Sequence, residues 1–210
     1  MFSAFESIVF DLDGTLIDSA PGVITCLMST IEEAELEADK GRLNRDLIGP
    51  PLETMLKTLC PTESAEKIAA AVETFRRIYD AAPTVGCSVF PQALQLLSDL
   101  RAQNKCLFLA TNKPLKPALT LIDRLDLGRF EAVFTPDMTK GRRLTKAEML
   151  QSLISEFDLD RAQTVMVWDA LSDIRAAHTA GIKGIAVLWG YEHDKTHLIS
   201  EADFVFKEPE

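Results

Sequence analysis

Short apolar runs separated by amphipathic stretches set the rhythm of this chain. Ser7-Ile8-Val9-Phe10 is brief, β-branched and aromatic, which fits a strand buried on both faces of a parallel sheet. Similar runs recur at 106–110, 131–134, 164–168, 184–188 and 203–206. Between them, residues 91–103, 114–125, 146–157 and 172–180 place apolar side chains at helical spacing, and Gly181 follows the last as a stop signal. Strands separated by helices need crossover connections, so the pattern predicts an α/β fold, a parallel sheet with helices on both sides.

The period changes after Thr15. Asp18-Ser19-Ala20-Pro21 reads as a helix start, with Val23, Leu27 and Ile31 on one face and Glu32, Glu33, Glu35 and Glu37 at the exposed end. Gly49-Pro50-Pro51 breaks the chain, 52–59 reads as a short helix, and Pro61-Thr62-Glu63 caps another that runs to Tyr79. Residues 16–83 therefore read as helical without a strand signal, and Pro83-Thr84-Val85-Gly86 as the return linker. The expected organisation is a core of 1–15 and 84–210 with a small α-helical cap, 16–83, inserted after the first strand.

The 210 residues suffice for one sizeable core and such an insertion. A net charge of −10 disfavours nucleic acid as a partner, because phosphate backbones need clustered Lys and Arg. No stretch of about eighteen apolar residues occurs, so no membrane span is expected. Cys26, Cys60, Cys87 and Cys106 are scattered without a CxxC pair, and no cleavable leader pattern opens the chain. Buried or half-buried free thiols in a cytoplasmic setting are expected. The chain closes with Phe206-Lys207-Glu208-Pro209-Glu210 soon after its last strand, and a native chain running slightly further is expected.

Four predicted strand or helix ends carry the polar residues that matter. Asp11 is the first residue beyond the strand 7–10, where ligands of open α/β sheets collect. In the run Asp11-Leu12-Asp13 the two carboxylates point one way and Leu12 the other, so they share a small volume. Like charges that close call for a cation or a shared proton, and Mg²⁺ suits an all-oxygen site. Thr111-Asn112-Lys113 follows the strand 106–110 and precedes a helix, a natural place for a phosphate. Lys146 sits on the first turn of a helix, where the dipole disfavours a cation unless an anion is near; Lys140, Arg142 and Arg143 lie close by. Asp169 follows the strand 164–168 as Asp11 follows the first, with Asp173 a helical turn further on.

In this order and at these ends, the four elements are similar to motifs one to four of the haloacid dehalogenase-like phosphatases, over essentially the whole chain. The phosphoglycolate phosphatase-like branch, with a helical cap after motif one, resembles it most. The resemblance implies a Rossmann-like three-layer α/β/α core and a Mg²⁺-dependent phosphatase acting on small phosphomonoesters: phosphoglycolate, sugar phosphates or nucleotides. Asp11 would be the nucleophile that becomes an aspartyl-phosphate, and Asp13 the general acid and then base. Thr111, Asn112 and Lys146 would hold phosphate; Asp11, the Asp13 carbonyl and Asp169 would hold Mg²⁺, with Asp173 in support. Gly49-Pro50-Pro51 and the run from Phe75 to Tyr79 resemble the family's substrate-facing segments, and a monomer or homodimer is expected. Trp168 departs from the pattern, standing where the family usually has a small residue, and its indole is expected to crowd the metal site. That departure motivates one alternative, a fold-retaining binding protein without turnover; a sugar phosphomutase is the other.

Overall fold

The computed structural model describes residues 1–207; Glu208-Pro209-Glu210 lie outside the described residues. Six strands form one wholly parallel sheet: β1 (Ser7–Phe10), β4 (Cys106–Ala110), β5 (Ala132–Phe134), β6 (Thr164–Trp168), β7 (Lys183–Val187) and β8 (Phe204–Phe206). Their order is β5-β4-β1-β6-β7-β8, which puts β1 at the centre between β4 and β6. Phe10 pairs with Leu109 and Val167, so the residues that follow these three strands emerge side by side at one sheet edge.

Side chains alternate across the sheet as the pleat requires. Ile8, Phe10, Leu107, Leu109, Val165 and Val167 bury one face under α4 (Pro91–Ala102) and α5 (Leu115–Arg124). Val9, Phe108, Met166 and Trp168 bury the other under α6 (Lys146–Glu156), α7 (Leu171–Thr179) and α8 (Lys195–Glu201). The expected three-layer core is thus observed. The helix α8, in a polar stretch with little apolar periodicity, has no counterpart in the sequence reading.

Trp168 corrects one expectation. Its position on β6 sends the indole into the core beneath α6 and α7, fully buried and packed against β7, and it is no part of the cavity wall that holds Asp11 and Asp169. Gly184 on β7 makes the room: a Cβ there would lie 1.4 Å from the indole Cη2. The indole nitrogen is buried without a hydrogen-bond partner.

Between β1 and α4 lie α1 (Ala20–Glu33), α2 (Leu52–Leu59) and α3 (Ala65–Ala81), which share a core of Leu27, Ile31, Leu56, Leu59, Ile68 and Phe75. The segment is not wholly helical. Ile17–Asp18 (β2) pairs antiparallel with Ser88–Val89 (β3), a two-residue ribbon joining the outgoing and returning chain. Two-residue strands are too short for a hydrophobic period to reveal. The return linker also packs on the start of α1, where a Cβ at Gly22 would lie 2.1 Å from the Val85 carbonyl oxygen.

Candidate active site

The ladder of β1 continues one residue past the strand, since Asp11 N–H donates to the Val167 carbonyl at 3.0 Å. The chain then turns back sharply: the Leu12 carbonyl accepts from Leu16 N–H at 2.9 Å and Ile17 N–H at 3.0 Å, and Gly14 takes φ +83°. Leu12 is buried in the core while Asp11 and Asp13 both line the cavity above the sheet edge. This cavity, of about 470 Å³, is walled below by Asp11, Asp13, Thr111, Lys113, Asp169 and Asp173. The helical block covers it with Ile48, Pro50, Met55, Val72, Phe75 and Tyr79.

Lys146 reaches Asp11 from beneath this floor. A capping box between Thr145 and Glu148 starts α6 and fixes Lys146 in its first turn. The ammonium donates to Asp11 Oδ1 at 2.6 Å and to the Ala110 carbonyl at 3.0 Å, and lies 3.4 Å from Asp173 Oδ2. Among the nearby cations, Arg142 instead pairs with Glu148 on the surface. Burial by itself would lower the Lys146 pKa, but Asp11 and Asp173 hold it above the ordinary lysine value. Asp173 therefore serves Lys146 directly and does not hydrogen-bond Asp169.

Asp169 is held from two sides. Its Oδ1 accepts from the Thr15 hydroxyl at 3.2 Å and its Oδ2 from Tyr191 N–H at 2.6 Å. Burial lifts its pKa to about 6, against the pull of these two donors and with Asp173 adding to the rise. Burial likewise lifts Asp11, opposed by Lys146 and reinforced by Asp173 and Asp169. Three buried carboxylates thus face one buried lysine, and the negative charge left over is what a cation would meet. Among the described residues no three acidic, histidine or cysteine side chains form a ready-made metal cage. The carboxylates of Asp11 and Asp169, which share this edge, are hard oxygen donors and suit a divalent ion that keeps several waters.

Asp13 has a separate set of partners. Its Oδ1 accepts a very short hydrogen bond from the Ser19 hydroxyl and lies 3.2 Å from Lys113 Nζ. Lys113 also donates to the Tyr79 hydroxyl at 2.9 Å, with its ammonium 4.7 Å from that ring's centroid. Burial would lower the Lys113 pKa, yet Asp13 and Tyr79 raise it. Thr111 is buried at the cavity floor, its hydroxyl accepting from Lys113 N–H at 3.2 Å, and Asn112 points to the Gly49 carbonyl at 3.5 Å.

Gly49-Pro50-Pro51, Phe75, Arg76 and Tyr79 line the cavity as the sequence suggests, whereas Arg77 pairs with Glu33 on the surface. Sequence reasoning gives no site role to Ser19 or Tyr191, and none to the side chain of Lys113 in the run Thr111-Asn112-Lys113. Tyr191 carried a readable signal: Trp189-Gly190-Tyr191 follows β7, at the same sheet edge as the acids. All four cysteines are free, and Cys106 is exposed rather than buried because it begins β4 at the opposite edge.

Fold and site together define an α/β protein with a carboxylate-lined pocket, backed by a buried lysine, at the carboxyl edge of a parallel sheet and roofed by helices. A family model described as haloacid dehalogenase-like hydrolase matches residues 8–187. The chain is 30% identical over 202 residues to the tyrosine-protein kinase PtkA of Mycobacterium tuberculosis, covering 96% of this chain and 66% of that protein. It thus spans slightly less than two thirds of that relative's length. It is 29% identical over 198 residues to a phosphoglycolate phosphatase of Rhodospirillum rubrum, covering 90% of this chain and 82% of that one. A haloacid dehalogenase-like family hydrolase of Streptococcus pneumoniae has a solved structure similar to this one, with TM-score 0.84, 26% identity, and coverage of 97% and 94%. The chain belongs to the haloacid dehalogenase-like hydrolase family.

Proposed function

We propose that this chain hydrolyses small phosphomonoesters, with Asp11 as nucleophile, Asp13 as proton shuttle and Mg²⁺ as cofactor. The observation that carries the reading is the buried Lys146–Asp11 contact of 2.6 Å beside a second acid, Asp13, that opens on the same cavity. Lys146 keeps one Asp11 oxygen oriented and stabilises its ionised form. The other Asp11 oxygen attacks phosphorus, the ester P–O bond breaks, and Asp13 protonates the departing alkoxide. Asp13 then takes a proton from water, which attacks the aspartyl-phosphate and releases phosphate with Asp11 regenerated. Thr111 and Asn112 would bind phosphate oxygens, and Lys146 would offset their charge together with that of Asp11.

Mg²⁺ would be held by Asp11, the Asp13 carbonyl and Asp169, with Asp173 in support through Lys146. When bound it supplies charge neutralisation for the phosphate group. Residues 16–83 act in this reading as a cap that excludes water and selects the substrate, over a core of 1–15 and 84–210. The four free thiols support a cytoplasmic setting. Among the described residues no helix is long and apolar enough to cross a membrane.

The test is a panel of phosphomonoesters, phosphoglycolate, sugar phosphates and nucleotides among them, assayed with and without Mg²⁺ for the unaltered chain and Asp11→Asn. Hydrolysis that needs Mg²⁺ and disappears in Asp11→Asn is expected; full activity in that variant overturns the assignment. The name of the mycobacterial relative favours a second reading, in which the aspartyl-phosphate passes to a hydroxyl acceptor instead of water. It would appear as phosphorylated acceptor with little free phosphate.

A further inference from the structure

Tyr191 touches both halves of the site while belonging to none of its four motifs. Its main-chain N–H holds Asp169 Oδ2 at 2.6 Å. Its phenolic oxygen accepts from Ser19 N–H at 2.7 Å and Ala20 N–H at 3.0 Å, and lies 3.1 Å from Asp18 Oδ1, to which it can donate. Those two amides open α1. A helix start leaves such amides without internal partners. Ser19, the N-cap residue of α1, makes no side-chain cap bond, and its hydroxyl donates to Asp13. Tyr191 takes up from across the fold the Ser19 and Ala20 amides, which an N-cap side chain does not reach, with Asp18 Oδ1 sharing the Ala20 amide at 3.3 Å.

The surrounding backbone is shaped for this contact. A Cβ at Gly190 would lie 2.2 Å from Asp169 Cβ and 2.4 Å from the Gly14 carbonyl oxygen, and one at Gly14 would lie 2.2 Å from Asp169 Oδ2. Both positions must be bare for the segment 189–191 to press onto Asp169 and the turn after β1. Trp189 fixes its other flank, the indole N–H donating to the Thr15 carbonyl at 2.9 Å.

We propose that Tyr191 is a positioning residue that couples Asp169 to the first turn of α1, so that the seating of the helical block and the setting of the acid depend on each other. The amide that orients Asp169 and the phenol that caps α1 belong to one residue. Swinging α1 away from the core therefore draws on the bond that orients Asp169, and the dependence is reciprocal. The proposal rests on reading Asp11 and Asp169 as a phosphatase's cation site, but the readout that decides it, hydrogen exchange, needs no turnover.

The experiment is amide hydrogen exchange on the full chain with and without Mg²⁺, comparing Tyr191→Phe, which keeps the ring and the main-chain N–H and removes only the hydroxyl. In the unaltered chain Mg²⁺ is expected to slow exchange at Ser19 and Ala20. In the variant these amides are expected to exchange roughly tenfold faster, with no response to Mg²⁺. KM for p-nitrophenyl phosphate rises about tenfold while kcat changes less than about twofold, since fewer molecules are closed at any moment. Where Mg²⁺ raises the unfolding temperature, exchange at Ser19 and Ala20 that ignores it in the unaltered chain, or that keeps its response in Tyr191→Phe, overturns the coupling; where it does not, the cation reading fails, and exchange in Tyr191→Phe no faster than in the unaltered chain overturns the coupling. If Tyr191→Phe does not fold, Ser19→Ala decides: it frees Asp13 but leaves the tyrosine cap, so Ala20 keeps its Mg²⁺-dependent protection, and loss of that protection overturns the proposal. Loss of hydrolysis alone, or its absence throughout, bears on the phosphatase reading and not on this one.

Discussion

Lys146 and Asp11 meet at 2.6 Å across 135 positions of sequence, inside a floor that also holds the carboxylates of Asp173 and Asp169. Removing the ammonium strands buried negative charge, whereas neutralising Asp11 relieves part of it. Lys146→Met is expected to lose about 3–5 kcal/mol of stability together with activity. Asp11→Asn, equally inactive, is expected to lose much less, because Lys146 keeps Asp173. Thermal unfolding of the two variants without metal checks the order; equal midpoints would contradict it.

The raised carboxyl pKa values fix the sign of a pH effect. Asp169, lifted by burial to about 6 from 3.8, binds a proton in the folded chain that the unfolded chain has released. Stability of the metal-free protein should therefore fall as pH rises from about 5 to 7, Asp11 adding in the same direction. Mg²⁺ should raise the unfolding temperature more at pH 7 than at pH 5, where protons compete for the same oxygens. Unfolding temperatures in chelator and in Mg²⁺ at both pH values test this, and a chelator curve that rises across the interval would refute it.

Gly190→Ala inserts a methyl group where the nearest atoms, Asp169 Cβ and the Gly14 carbonyl oxygen, stand at 2.2 and 2.4 Å. One contact is main chain and cannot swing aside. A displacement of Asp169 by a fraction of an ångström to about 1 Å is expected, with activity down by about 10²-fold. Steady-state kinetics in saturating Mg²⁺ provide the measurement; activity within a factor of about two would mean the loop is not the constraint described.

Trp168 offers the opposite case, a large residue next to Asp169 in sequence that belongs to the core. Trp168→Phe trades lost packing against removal of a buried N–H that has no partner, so stability should change by no more than about 1 kcal/mol. Trp168→Ala should cost about 3–5 kcal/mol. Neither should move KM. A changed KM in Trp168→Phe would return the indole to the substrate side.

The core was legible in the sequence because its strands are short apolar runs whose ends carry the unusual polar residues; β1 and β6 were bounded to the residue. Asp11, Asp13, Thr111 and Asp169 are legible for the same reason, and Lys146 and Asp173 from their places on the first turns of helices; the structure gathers them at one edge, with Lys146 bonded to Asp11 and near Asp173. Trp168 was misread because adjacency along a strand suggests adjacency in space, while the pleat sends successive side chains to opposite faces. Tyr191, and the side chain of Lys113, escape that reading because their roles are hydrogen bonds to distant elements, α1 and α3, which no local period encodes. The ribbon of β2 and β3 escaped because two residues cannot establish an alternation.

That ribbon has an architectural consequence. Ile17 pairs with Val89 and Asp18 with Ser88, so the chain leaves the core and re-enters it one interstrand spacing apart, about 5 Å. To the sheet and its flanking helices, everything from Ser19 to Cys87 occupies the place of a hairpin loop. A turn of about two to five residues would bridge the same gap. An insert of another size whose ends matched would meet the core through the same two residue pairs, so the ribbon marks the point at which the roof over the pocket is attached to the floor beneath it.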